Sequence, residues 1–464
     1  MTESDGLPQT IEECHALIRA QAAQIALLLQ RIEALEARLA QSSQNSSKPP
    51  SSDGPSSLPP KPRPRARNRG GQPGHKGKTR RMVENPDIVN DCVPSTCEGC
   101  GAALDGQDKF PERFQQWELP VLPRAIVTEN RIHTLPCACG HMTRGTLPEG
   151  IDGKAFGPRL TAMVGYLAGA YGMSHRNIVG LLREAFGVSM AIGSVANCEF
   201  RVSTAIAPQV QDALAKVRLS SVVHADETSW DTAGNRGWLW VAVTDNVTVF
   251  LVHPERSKNA AQSLLGATHE GWLITDRWTA YDQHPVERRQ VCLTHLHRQF
   301  REMALYSGTM GQVGRTLDSS MELVWEYWSR VRSGQWTRAA FAEKVEKVRS
   351  KIKATLELGG SLNHRRSGRC REILKLESAM WTFASQEGIE PTNNVAERAI
   401  RHAVVWRKKC YGSQSSWGEQ FVGRILTVHA TLKRQGRNLL EFLQTSLEAR
   451  ARKLAAPSLL PAPA

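Results

Sequence analysis

The chain has 464 residues, 41% of them hydrophobic, and its 59 lysines and arginines against 45 aspartates and glutamates give a net charge of +14. That length predicts two to four domains with at least one sizeable core. No run approaches the ~20 apolar residues that span a bilayer, and the acidic start Met1-Thr2-Glu3-Ser4-Asp5 does not read as a secretory signal, so a cytoplasmic protein is expected. The positive excess calls for a polyanion, and without a basic amphipathic helix rich in bulky aromatics that polyanion is nucleic acid rather than a membrane.

Residues 1–43 carry the first element. Ile11, Ile18, Ile25, Ile32 and Leu39 recur every seven residues, and Leu28 and Leu35 fill the second apolar position of the later heptads. Arg31 and Glu36 flank the seam, while Cys14 and Gln21 weaken its early part. A seven-residue period winds two helices into a left-handed coiled coil, and hence predicts a homo-oligomer. The alternative is one amphipathic helix packed on its own domain.

Residues 44–88 change character, with Ser46-Ser47-Lys48-Pro49-Pro50-Ser51-Ser52-Asp53, Lys61-Pro62-Arg63-Pro64-Arg65 and Gly70-Gly71-Gln72-Pro73-Gly74-His75-Lys76-Gly77. So little apolar surface predicts a basic, disordered linker. Arg63, Arg65, Arg67, Lys76 and Lys78 are its candidate phosphate contacts, each able to release counterions from DNA.

Five of the ten cysteines lie between Cys92 and Cys139. Two close pairs, Cys97/Cys100 and Cys137/Cys139, offer four thiolates to a structural Zn²⁺ in a small domain over 89–150. Cys92 and His141 are near enough in sequence to substitute for a ligand.

Residues 151–217 read as helical. Ser174 caps a helix running through Phe186, Gly187-Val188-Ser189 turns the chain, and a second helix starts at Ile192. This pattern fits a helix-turn-helix and a plain helical bundle equally.

From 218 to 410 the pattern is strand-rich. Val222 to Ala225, Trp238 to Val243 and Val247 to Val252 form three strands, a helix covers Asn259 to Leu265, and Trp272 to Thr275 and Gln290 to Leu293 add two more. Strand-strand-strand-helix-strand-helix-strand is the order of a ribonuclease H-like α/β fold, with the helical stretch 305–390 as an insertion. Residues 411–464 form a helical region, and the Ala/Pro/Leu tail after Lys453 is expected to fray.

Three carboxylates stand out. Asp226 and Asp276 each follow an apolar strand, and Glu397 sits on a helix that includes Asn393, Asn394, Arg398 and Arg401. Phosphodiester cleavage uses two Mg²⁺ (or Mn²⁺) ions held by oxygen ligands, and carboxylates from adjacent strands plus one helix suit that need. Each also has a local explanation: a strand-end cap for the aspartates, and a capping box with Asn394 or a pair with Arg401 for Glu397. Arg398, Arg401, Arg407 and Lys408 around Glu397, and Arg298 after the last strand, are the candidate contacts to a DNA backbone.

Ser46 to Asp53, Gly70 to Gly77, Asp226-Glu227-Thr228, Thr275-Asp276 with Tyr281, His295-Leu296-His297-Arg298, and Asn393-Asn394 with Glu397-Arg398 and Arg401 together resemble the large transposases of the insertion-sequence-66 family. The resemblance runs from the heptads to Leu443. It implies an N-terminal zipper, a zinc-binding domain and a ribonuclease H-like domain whose Asp-Asp-Glu triad falls on Asp226, Asp276 and Glu397. The sequence departs from it in the tight second cysteine pair, in Thr392 where an acidic residue is common, and in Arg277 where a glycine is.

The expected function is thus a DNA transposase that binds element ends, cuts and joins strands and works as a homo-oligomer, with the need for companion proteins left open. A nuclease of the same fold that does not join strands, and a zinc-containing DNA-binding regulator without catalysis, are the rival readings.

Overall fold

Apolar residues at seven-residue spacing wind into one long helix, α1 (Ile11–Leu39), opened by a capping box: Thr10 Oγ1 accepts from Glu13 N and Glu13 Oε2 accepts from Thr10 N. Its seam residues Ile18, Ile25, Leu28, Ile32 and Leu35 all stay exposed. This computed structural model describes residues 10–41, 82–106 and 108–461. Most of the expected basic linker, with Arg63, Arg65, Arg67, Lys76 and Lys78, lies outside the described residues. The chain divides into two units, Ser56–Ala125 and the remainder, and each stands by itself below.

Within Ser56–Ala125 regular structure is sparse among the described residues. One bridge, Thr96 to Ala103, closes a turn around Cys97 and Cys100. Val83 is tied to Gln115, whose amide accepts from Val83 N at 2.8 Å and donates to Val83 O at 2.7 Å.

The larger unit continues with a small antiparallel hairpin, β1 (Thr134–Pro136) and β2 (Met142–Arg144). Four helices follow: α2 (Pro158–Tyr171), α3 (His175–Phe186), α4 (Ile192–Ala205) and α5 (Ala207–Arg218). Ser174 Oγ accepts from Asn177 N to start α3, and Gly187, at φ 68°, ends it in the left-handed conformation that suits glycine. The α2 and α4 helices pack on each other and on later helices, whereas α3 buries only Ile178 and Leu182.

Next comes the five-stranded sheet: β3 (Val222–Ser229), β4 (Trp238–Val243), β5 (Thr248–His253), then helix α6 (Lys258–Leu265), β6 (Trp272–Thr275) and β7 (Arg289–Val291). Its order is β5-β4-β3-β6-β7; β3, β4 and β5 pair antiparallel, while β3, β6 and β7 run parallel. The β4 strand is buried from Leu239 to Val243 without alternation, as in a sheet covered on both faces. Two details differ from the sequence reading. The β3 strand does not stop before Asp226 but carries it, opposite Val241, and continues to Ser229. Two 3-10 turns, Thr279–Tyr281 and Val286–Arg288, replace the helix expected between β6 and β7. That connection is short and holds Pro285, and Asp276 Oδ1 accepts from Trp278 N at 2.8 Å, which favours a tight turn over a helix.

The remaining helices are α7 (Leu293–Met303), α8 (Gly308–Arg332), α9 (Arg338–Ser361), α10 (Ser367–Leu374), α11 (Thr382–Ser385), α12 (Asn394–Cys410), α13 (Ser416–Gln435) and α14 (Leu439–Ala451). Helices α7 to α11 share a second core with β7, in which the rings of Trp328, Phe341 and Phe383 meet with centroids 5.0–5.4 Å apart. The first core joins the rest of the sheet to α2–α6 and α12–α14.

Helix α13 covers the edge strand β5. Phe250 N donates to Thr427 Oγ1, while Thr248 N donates to Thr431 Oγ1, which in turn donates to Thr248 O. Gly423 allows the close approach, since a Cβ there would lie 3.2 Å from Phe250 O. These bonds satisfy backbone groups that an open edge would offer to another chain. The tail does not fray through its described part: Leu459 is buried, and Gln435 Nε2 and Arg437 Nη2 donate to Leu459 O and Ser458 O. Among the described residues no helix is long and apolar enough to cross a membrane.

Candidate active site

Register builds the site. The parallel pairs Val222↔Trp272, Val223↔Leu273 and His224↔Ile274 keep one offset along β3 and β6. Carried two residues further, that offset sets Asp226 beside Asp276, where β6 has ended and β3 goes on with β4 alone. Neighbouring strands are about 4.8 Å apart, and side chains two residues apart share a face. On the other side Thr275 pairs with Val291, and Cys292 N donates to Thr275 O at 2.8 Å, so Cys292 follows at the same level. Three parallel strands therefore present Asp226, Asp276 and Cys292 side by side, at the level where β6 and β7 end and β3 runs on.

Helices add the rest. Cys292 is the N-cap of α7, and His295 lies in its first turn. Glu397 lies in the first turn of α12, with Oε1 3.6 Å from His295 Nδ1. Atoms of Cys292, His295 and Glu397 able to bind a metal all lie within 4.8 Å of one another. The capping box read for Glu397 does not form, because the N-cap is Asn393 and its side chain turns elsewhere. Asn393 is fully buried; its Nδ2 donates to Ala225 O at 2.7 Å, its Oδ1 lies 3.3 Å from His224 Nδ1, and its backbone N–H donates to Cys292 Sγ at 3.2 Å. Asn393 thus pins the start of α12 to the strand residue before Asp226 through its side-chain amide and to the residue after β7 through its backbone N–H.

The electrostatics bind the group together. Burial pushes the Asp226 carboxyl well above its usual range, and the charges of Glu227 and Asp276 push it further, against a smaller opposing effect of His295. Burial alone would lower His295, but its hydrogen bond to Cys292 and the charges of Cys292, Glu397 and Asp276 raise it to about 9. Glu227, on the opposite face of β3, is already spent: Tyr281 Oη donates to it at 2.7 Å and Arg256 pairs with it at 2.6 Å. Arg256 in turn lies 3.8 Å over the Trp278 ring. Glu227 therefore fixes the loop after Asp276 and is no free ligand. Burial and the charge of Asp276 raise its carboxyl, partly offset by Tyr281 and Arg256.

This carboxylate cluster suits hard divalent cations. Asp226 and Asp276 put two carboxylates at one strand level, with His295 and Arg277 as the cations acting on them, and an oxygen-preferring cation suits such a pair.

A family model described as "Transposase IS66 family" matches residues 153–421, more than half of the chain. The chain belongs to that family. The matched stretch holds Asp226, Asp276, Asn393 and Glu397 and every strand of the five-stranded sheet. A second model, a family of unknown function (DUF6444), matches residues 3–81, which include α1. Among curated proteins, "Uncharacterized protein y4qI" of Sinorhizobium fredii (strain NBRC 101917 / NGR234) is 24% identical over 413 residues, 80% of this chain and 73% of its own length.

The other expected site residues are spread out. Cys97 and Cys100 lie in the Ser56–Ala125 unit, Cys137 and Cys139 in the other. Each pair sits in a tight turn. Cys97 N donates to Ala102 O and Gly101 N to Cys97 O; Cys137 N donates to His141 O and Gly140 N to Cys137 O. Gly101 and Gly140, at φ 75° and 84°, make both turns possible. Backbone N–H groups of Gly99 and Cys100 hold the Cys97 thiol below its usual range, and Cys139 does the same for Cys137.

Of the cations, Arg398, Arg401 and Lys408 are exposed on α12, and Arg298 is half-buried on α7. Arg398 lines a cavity of about 280 Å³ with His402, His429, Lys433 and Arg434. Arg407 turns inward and donates to Thr228 Oγ1 and Ser229 Oγ at 3.0 and 2.6 Å, so its guanidinium anchors the end of β3. Sequence reasoning gave no role to Asn393, Cys292, His295, Arg256 or Tyr281. Asn393, His295 and Tyr281 stand in the motifs quoted above, and the three-residue step from Cys292 to His295 is the local signal that both face one way at a helix start.

Proposed function

We propose that this chain is an Asp-Asp-Glu DNA transposase with a ribonuclease H-like catalytic domain, in which Asp226, Asp276 and Glu397 hold the catalytic cations. The observation that carries the reading is the shared strand level of Asp226 and Asp276, with the Glu397 helix tied to the same level through Asn393. The sheet order β5-β4-β3-β6-β7, three strands antiparallel and three parallel, supports the fold assignment.

Two Mg²⁺ or Mn²⁺ ions on these carboxylates would supply activation of the attacking oxygen and stabilisation of the leaving one. The chain's own residues set the frame. Glu227, Arg256 and Tyr281 hold the Asp276 loop, and Asn393 sets α12 against β3. Arg298, Arg398, Arg401 and Lys408 offer positive charge for the DNA backbone, as do the linker cations Arg63, Arg65, Arg67, Lys76 and Lys78; Arg407 serves by holding β3. Cleavage at an element end adds water to the phosphorus and breaks its P–O3′ bond, leaving a 5′-phosphate and a free 3′-hydroxyl. Joining forms a new P–O bond from that hydroxyl to a target phosphorus as the target's own P–O3′ bond breaks and its 3′-hydroxyl leaves.

Each cysteine pair, Cys97/Cys100 and Cys137/Cys139, is part of the proposal as a two-thiolate turn for structural Zn²⁺. The exposed seam of α1 supports pairing of two protomers.

The test is purified full-length protein with DNA bearing the element ends, a target plasmid and Mg²⁺. Joined products are expected. Cleaved ends without joining would favour the non-joining nuclease, and end binding without cleavage the regulator.

A further inference from the structure

His295 Nδ1 and Glu397 Oε1 are both shielded from solvent and neither meets a partner in hydrogen-bond geometry, the Cys292 thiol being the polar neighbour of the imidazole. They face each other at 3.6 Å, too far for a hydrogen bond. A nitrogen and an oxygen bound to one transition-metal ion at about 2.0–2.2 Å, with an angle near 110–120°, lie roughly 3.4–3.6 Å apart. With a protonated imidazole that separation is an ion pair; with a neutral one it is also the edge of a coordination shell. Orphaned buried atoms are costly, so a fold keeps them only when something else fills their bonding capacity.

We propose that His295 and Glu397 together bind one divalent transition-metal cation, of the Mn²⁺ or Zn²⁺ kind, with the Cys292 thiol at its back. The inference rests on the reading of Glu397 as the third carboxylate, and deepens it by making one of the two ions imidazole-bound. Three features agree. Cys292 Sγ lies within 4.8 Å of a ligand atom of each of the two residues. Cys292 and His295 occupy the N-cap and first turn of α7, which fixes the imidazole against a buried strand end. Asn393, by donating its backbone N–H to Cys292 Sγ, holds the thiol and the start of the Glu397 helix in one unit.

Such a ligand set has a consequence for metal choice. Mg²⁺ takes oxygen ligands and keeps its waters, whereas imidazole suits first-row transition metals. The His295 position would therefore favour Mn²⁺ over Mg²⁺, and the Asp226–Asp276 position would show no such bias.

The experiment is Mn²⁺ titration of the metal-free full-length protein, followed by electron paramagnetic resonance with pulsed detection of ¹⁴N coupling. Wild-type protein should show a nitrogen coupled to bound Mn²⁺. His295→Ala should lose that coupling and bind Mn²⁺ about tenfold or more weakly, at least the effect of losing an outer-shell partner. Wild-type protein that binds Mn²⁺ without nitrogen coupling overturns the inference, whatever the variant does. So does His295→Ala with unchanged coupling and affinity. His295→Gln, closer in shape, guards against a folding defect and should lose the nitrogen signal with the same far-ultraviolet dichroism as wild type. Failure of the carboxylate reading looks different: Asp226→Asn would cleave DNA as wild type does, while the nitrogen signal stays.

Discussion

The buried amide of Asn393 does more than its place at a helix start requires. It serves no cap, and spends its donor on the Ala225 carbonyl and its backbone N–H on Cys292 Sγ. Removing it leaves a buried carbonyl unpaired, at a cost of about 1–3 kcal/mol. We expect Asn393→Ala to lose that much in urea unfolding, and to lose strand cleavage even at temperatures where it is fully folded. Wild-type stability and cleavage together would mean that the amide positions nothing. Residue-scale detail was the least legible part of the sequence. Nothing in the local pattern of Asn393 separates a cap from a bridge, because its partners lie about 100 and 168 residues away in the chain. Glu397 had the same ambiguity, and the absent capping box resolves it only in the folded chain.

At the scale of elements, periodicity carried most of the information. Trp238 to Val243 and Trp272 to Thr275 are strands where apolar runs of that length predict them, and Ser174 and Gly187 bracket α3 as cap and stop signals should. The end of β3 was misread because Asp226-Glu227-Thr228 looks like a polar turn. Pairing with β4 and the full use of Glu227 by Arg256 and Tyr281 keep that polar stretch extended. The closure of the sheet edge by α13 was not legible at all, since two threonines on a helix carry no sign of which strand they will serve. It makes a clear prediction. Thr431→Val keeps the side-chain volume but leaves the Thr248 N–H and C=O of β5 without their partner. A loss of about 1–3 kcal/mol in chemical denaturation is expected; an unchanged midpoint would show that the threonine does not hold the edge.

For the whole molecule, the heptads of α1 gave a helix of the expected span, and its apolar seam has nothing over it among the described residues. Seven-residue spacing leaves an apolar stripe that a second copy would bury, and Leu28 and Leu35 sit on it. Full-length wild type should run in light scattering at a multiple of the monomer mass of 51.4 kDa. Leu28→Lys with Leu35→Lys should shift it toward the monomer, with folding of the catalytic part unchanged. A monomeric wild type at the same concentration would remove α1 as the contact. The cysteine pairs were visible as pairs, and their turns follow from Gly101 and Gly140. Most of the basic linker expected from composition lies outside the described residues.

The central claim is that Asp226, Asp276 and Glu397 act as one metal-holding group, and single-carboxylate variants test it most directly. Full-length Asp226→Asn, Asp276→Asn and Glu397→Gln, each shown to be folded by circular dichroism, would be assayed with end-bearing DNA in Mg²⁺. Each should lower strand cleavage by about a thousandfold or more, as expected when a group that acts as a unit loses one member. Cleavage within a few-fold of wild type by any of the three would contradict the triad.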